Sequence, residues 1–220
     1  MKKCIFFACR MIEQEIRSLI KEVDFPYPIY FIPPNLHATP EKLQEYLQNA
    51  IDNTENVDAI IISVGRCGNS TIGLKASTAD LILPRCDDCI DILLSKGKLA
   101  QRVRPEKGCF LTESWVKNTD DLDVNMDKLT EKYGEFEAKS LIRTMYYGYK
   151  YFYIIDTGLY DMTGVADYIL PTAELIDADI KILPGHYNTL RKMMSLDFDD
   201  DFIVVPKGGF VTENDFNISL

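Results

Sequence analysis

AIIISVGRCGNS, residues 59–70, is the stretch on which the reading of the fold turns. Ala59 to Val64 form a near-continuous apolar run, too short for an ordinary helix and without the alternation of a strand that keeps one face wet. Such a run fits a strand covered on both faces, as in a parallel sheet packed between helices. It ends in a turn, Gly65 to Ser70, where glycine gives the backbone freedom and its N–H groups are able to cradle an anion or leave room for a bulky group. A cysteine, Cys67, stands in that turn.

Similar runs recur on both sides: CIFFAC (4–9), PIYFIP (28–33), DLILP (80–84), CFLT (109–112), YFYIID (151–156), DIKIL (179–183) and DFIVV (201–205). Helical patterns lie between them. Ile12, Ile16, Leu19, Ile20 and Val23 share one stripe, and Thr39-Pro40-Glu41 opens a second helix with Leu43, Leu47, Ala50 and Ile51 facing inward. Residues 135–149 and 163–177 are further helical segments, the first with Phe136, Ile142, Met145 and Tyr149 as a core stripe. Strand–helix alternation of this kind predicts an α/β fold, a doubly wound, mostly parallel, Rossmann-like sheet with right-handed crossovers. The acidic segment 117–128 reads as a linker between an N-terminal α/β half (1–116) with a cysteine-rich rim and a C-terminal α/β half (117–220). IISVGRCG and YIIDTGLYD each run from strand into a glycine turn, which suggests two similar halves.

Composition narrows the function. No apolar stretch reaches the roughly 18–20 residues that cross a bilayer, and the chain runs from Lys2-Lys3 into its first strand without a cleavage signature, so a cytoplasmic protein with no membrane contact is expected. In a reducing compartment its six cysteines read as free thiols or metal ligands rather than disulfides. A formal charge of −10, with no basic cluster, argues against nucleic acid.

Parallel strands deliver the residues that follow them to one edge, where ligands bind. Read this way, Cys9, His37, Cys67, Cys86 and Cys89 follow the first four strands. Thr112 to Trp115, Asp156 and Thr157, His186 and Lys207 to Gly209 follow the later ones. Cys4 and Cys109, inside apolar runs, read as core. The Cys86–Cys89 pair alone is weak support for zinc, but soft sulfur donors from separate loops select zinc, an iron–sulfur cluster or Cu(I) over Mg²⁺ or Ca²⁺. Three cysteines hold a cluster with one iron left open, or a zinc ion with a fourth position for His37 or a substrate. Asp87 and Asp88 oppose a free low-pKa thiolate, which favours a metal. The competing readings are a non-catalytic module holding a corrinoid or another anionic small molecule through Gly68, Asn69, Thr157 and Gly158, and cysteines that only fill space beside a rim that serves as an oligomer or partner surface.

ACRMIEQEI, NLHATPEKL, VGRCGNSTIGL, LPRCDDCIDILL, KGCFLTESW, DTGL and FIVVPKG occur in an order that resembles the family called domain of unknown function 1638, over nearly the whole chain. Members of that family come from methanogens and anaerobic bacteria, often beside corrinoid methyltransferase genes. The resemblance implies a role in one-carbon transfer, with a small-molecule ligand or a corrinoid methyltransferase system as partner. Carried over, it marks Cys9, Cys67 and Cys89 as metal ligands, His37 as a catalytic residue, and Thr112 and Trp115 as part of the site. Cys86 stands where many relatives lack cysteine.

Overall fold

The computed structural model describes residues 3–36, 39–118 and 126–217. They form two compact units, one from Met1–Val103 with His186–Leu220 and one from Arg104–Gly185. Of the linker expected at 117–128, residues 119–125 lie outside the described residues. The borders between the units fall at Val103/Arg104 and Gly185/His186.

The first unit carries β1 (Cys4–Ala8), α1 (Glu13–Glu22), β2 (Ile29–Phe31), α2 (Pro40–Asp52), β3 (Ala59–Ile62), β4 (Asp80–Pro84) and α3 (Cys89–Leu94). The second carries β5 (Gly108–Leu111), α4 (Glu113–Asn118), α5 (Met126–Tyr133), α6 (Glu135–Met145), β6 (Tyr151–Asp156), α7 (Met162–Ile176) and β7 (Asp179–Pro184). The chain then completes the first unit with α8 (Asn188–Met194) and β8 (Phe202–Val205).

The architecture is Rossmann-like α/β, with a mostly parallel five-stranded sheet ordered β2-β1-β3-β4-β8 and a parallel three-stranded sheet ordered β5-β6-β7. β3 is the centre of the first, and all four of its residues are buried. Its apolar run therefore has a wall on each face, as a parallel sheet requires. Pro40 sits at the start of α2, where a missing N–H costs nothing. Leu43, Leu47 and Ile51 of α2 pack with Ile60, Ile62 and Leu81 in one core. The second unit has its own core, built on Leu111, Ile142, Phe152, Ile154, Val165 and Ile169.

Three expectations need correction. The eight described strands form two sheets rather than one continuous edge. β8 runs antiparallel to β4, with Leu81 opposite Val205. Lys207–Gly209 therefore leave at the opposite edge, where the Lys207 amide donates to Asp80 at the start of β4 (2.9 Å). The stripe on α6 is only partly core: Ile142 is buried, but Phe136 is 82% exposed and Met145 and Tyr149 are also open. The short helices α3, α4, α5 and α8 were not foreseen, being too brief to show a periodic stripe.

Candidate functional site

β1 leads outward to β2 on one side of the first sheet, and β2 leads back across β1 to β3 on the other. Where the order reverses, loops at the carboxyl edge diverge and leave a crevice. A cavity of about 340 Å³ lies at this point. Cys9, Arg10 and Met11 line it after β1, Ile32, Pro33 and Pro34 after β2, and Val64, Cys67 and Gly68 after β3; Pro40, Leu43, Asp87 and Asp88 complete the wall.

Backbone links bring the loops together. The Cys9 amide donates to Ser63 Oγ (2.7 Å), tying the end of β1 to that of β3. Arg66 and Cys67 amides donate to the carbonyls of Cys86 (2.8 Å) and Asp87 (2.6 Å), fastening the turn after β3 to the loop after β4. This approach is possible because residue 65 has no side chain: a Cβ there would lie 2.4 Å from the Cys86 carbonyl oxygen and 2.8 Å from its sulfur. Cys67 then turns back with φ 40°, followed by Gly68 at 64° and Asn69 at 73°. A cysteine in the left-handed region is uncommon and is held by its surroundings.

A second set of contacts braces the loop after β4. Asp91, fully buried, accepts from Arg102 Nε (2.7 Å) and from the Asp87 amide (3.0 Å), while Asp87 also accepts from Arg102 Nη2 (2.9 Å). Asp88 caps α3 through the amides of Ile90 (3.0 Å) and Asp91 (3.3 Å). Both carboxylates that the sequence sets between Cys86 and Cys89 are thus already engaged, one by a guanidinium and one by backbone.

The sulfurs fall into an order. Cys9 and Cys89 share a hydrogen bond in which the Cys89 thiol donates, holding Cys9 below the ordinary thiol range and Cys89 well above it. Burial pushes Cys67 well up, and the charge on Cys9 adds to the effect. Burial does the same to Cys86, with Asp91 next in effect. The Cys86 thiol donates to the Asp88 carbonyl (3.3 Å), which closes its own loop. Cys9, Cys67 and Cys89 therefore lie within electrostatic reach of one another. Cys9 and Cys67 face the cavity, and Cys89, buried at the first position of α3, sits behind Cys9. Among the described residues, no three His, Cys, Asp or Glu side chains are gathered around a point that would hold a metal ion.

The other residues singled out in the sequence are placed as follows. Gly68 and Asn69 occupy the exposed turn after β3, where Asn69 accepts from Arg66 Nε (2.8 Å). Thr112, Trp115, Asp156 and Thr157 belong to the second unit, at the carboxyl edge of the three-stranded sheet. The Thr112 hydroxyl accepts from the Trp115 amide (3.1 Å) at the head of α4, and Trp115 packs on the second core. Asp156 closes its turn by accepting from the Gly158 amide (2.9 Å), and buried Thr157 lies against Gly185, where an added Cβ would meet its methyl at 2.9 Å. His37 lies outside the described residues. His186 is bonded through its amide to the Leu93 carbonyl (2.8 Å), and its imidazole does not line the cavity. Two residues escaped the sequence reading. Arg10 lines the cavity beside Cys9, a position its adjacency in ACRMI would have signalled; nothing local marks Arg102, thirteen residues beyond Cys89, as the brace of that loop.

No helix among the described residues is long and apolar enough to cross a membrane. A family model described as "Protein of unknown function (DUF1638)" matches residues 31–194. The match takes in Cys67 and Cys89, whereas Cys9 precedes it. No curated protein matches the chain.

Proposed function

The chain belongs to this family of unknown function, and we propose from its rim that Cys9, Cys67 and Cys89 hold an iron–sulfur cluster or a zinc ion in a cytoplasmic protein of anaerobic, corrinoid-linked one-carbon metabolism. One observation carries the proposal: three sulfurs, on the turns after β1 and β3 and at the head of α3, lie within electrostatic reach of one another beside the switch point of the sheet, two of them hydrogen-bonded. Buried thiols so close together resist ionising together, because each thiolate raises the pKa of the next. A soft cation removes that cost.

The two metals place different demands on the sulfurs. A zinc ion bonded at about 2.3 Å draws its sulfurs to within about 3.8 Å of one another around one point, a spacing that a thiol–thiol hydrogen bond such as that of Cys9 and Cys89 already approaches. A polynuclear cluster takes one thiolate per iron and so tolerates a wider spread; three thiolates leave one iron with an open position. His37 enters as its fourth ligand or as a proton donor on sequence grounds alone.

Anaerobic reconstitution with iron and sulfide, and separately with zinc, tests the reading by metal content and visible absorption. Wild type should take up iron and sulfide, Cys9→Ser, Cys67→Ser and Cys89→Ser should each lose most of it, and Cys86→Ser should retain it. Absence of metal from wild type under both conditions would remove the proposal.

A second reading, a non-catalytic binding or accessory protein, draws support from the cavity itself. At about 340 Å³, it lies at the lower end of the roughly 300–1,000 Å³ of small-molecule sites. It suits a small anion rather than an enclosed corrin ring, so equilibrium dialysis with cobalamin should show no tight binding.

A further inference from the structure

We propose that the cavity binds a short-chain monocarboxylate, with its carboxylate on Arg10 and its apolar body against Pro33, Pro34 and Leu43. The proposal deepens the reading of this crevice as a ligand site and does not require the metal.

Arg10 presents more donors than the protein uses. Nη1 donates to Glu13 (2.9 Å), and Nε is buried with no hydrogen-bond partner among the described residues. The side chain remains 32% exposed and lines the cavity. Its guanidinium is fixed in position by stacking, with its carbon 5.5 Å from the centre of the Phe31 ring; Arg17 stacks on the same ring at 4.7 Å. A planar guanidinium held this way, with donors to spare, is suited to a carboxylate.

Charge selects the valence of the ligand. Glu13 is shared between Arg10 and Arg17, so the three side chains carry a net charge of about +1 at neutral pH. Asp87 and Asp88 also line the cavity. Asp87 is paired with Arg102 and Asp88 is bound by amides, but both remain anionic faces that repel a second negative charge. One net positive charge thus faces two carboxylates, so a monoanion is opposed less than a dianion such as hydrogen phosphate. The remaining wall, with Pro33, Pro34, Leu43, Ile32 and Val64, offers apolar surface to a short hydrocarbon chain.

The test is isothermal titration and ligand-observed NMR on the reduced full-length protein, with sodium butyrate as probe and inorganic phosphate as comparator. Wild type should bind butyrate saturably. Arg10→Gln should weaken that binding about tenfold or more, the worth of one charge-assisted contact. Arg10→Lys, which keeps the charge but not the fork, should fall between them. The titrations are run on wild type stripped of metal by a chelator, so a protein that takes up neither iron nor zinc and still binds butyrate leaves this inference standing while the metal reading falls. Absence of saturable butyrate binding in wild type, equal affinity in Arg10→Gln, or tighter binding of phosphate than of butyrate would each overturn it.

Discussion

The carboxyl edges of the two sheets make an instructive contrast. Each is fed by parallel strands that end in polar turns, and each bears residues that the sequence marked as candidates for a site. At the edge of the three-stranded sheet, Thr112 and Asp156 accept from amides of their own turns and Trp115 rests on the core. At the edge of the five-stranded sheet, Cys9 and Cys67 are also met by backbone, at Met11 and Gly65, yet both line an open cavity, and Arg10 beside them keeps an Nε donor with no partner among the described residues. The strand-end position is common to both. What separates them is the reversal of strand order, which opens a crevice between β1 and β3, and the glycine that lets the loop after β4 close on the turn after β3.

The largest test of this contrast is Arg102→Met, which leaves Asp91 charged and buried at the brace of the cysteine loop. A loss of about 3–5 kcal/mol in urea unfolding is expected. The double variant Arg102→Met/Asp91→Leu should recover a large part of it, and a single variant as stable as wild type would mean that the loop does not depend on its brace.

Next in size is Gly65→Ala, whose Cβ would strike the Cys86 carbonyl. It should cost about 2–3 kcal/mol by overpacking and lower metal uptake in step. Gly158→Ala, in the corresponding turn of the other sheet, meets no described atom within 4 Å and should cost about 1 kcal/mol, from its positive φ of 72° alone. Equal costs would erase the distinction between the two edges.

Alkaline pH should expose the same difference. Cys67, Cys86 and Cys89 hold their protons more tightly folded than unfolded. Their contribution is complete below the ordinary thiol value of about 8.5 and is lost as pH rises through the raised folded values. Cys9, held low, has the opposite sign: its contribution is present above that ordinary value and is lost as pH falls through its lowered one. The three outweigh the one, so the urea midpoint of the metal-free protein should drop between about pH 7 and about pH 10, and drop less in Cys67→Ser. A flat profile would deny the burial of these thiols.

The smallest effect belongs to Thr112→Ala, which removes a hydroxyl acceptor at the head of α4 and should cost about 1 kcal/mol. Metal uptake should not change. If it were lost in Thr112→Ala and kept in Cys67→Ser, the roles assigned to the two edges would be reversed.

The sequence by itself determined the eight strands and the longer helices, because a run such as Ala59–Ile62 or the stripe Leu43, Leu47, Ile51 carries its burial pattern in its own spacing. It also placed the cysteines at strand ends. Only the tertiary structure decided which of those ends meet: strands four residues long have no local feature that says which neighbours they pair with, or that β8 runs antiparallel. The division of eight strands into two sheets, the turning of Cys86 onto its own loop and the bracing of Cys89 by Arg102 and Asp91 all depend on contacts between residues distant in the chain. Periodicity records the environment of a residue and not the identity of its neighbours, which is why the sulfurs were legible and Arg102, the brace of their loop, was not.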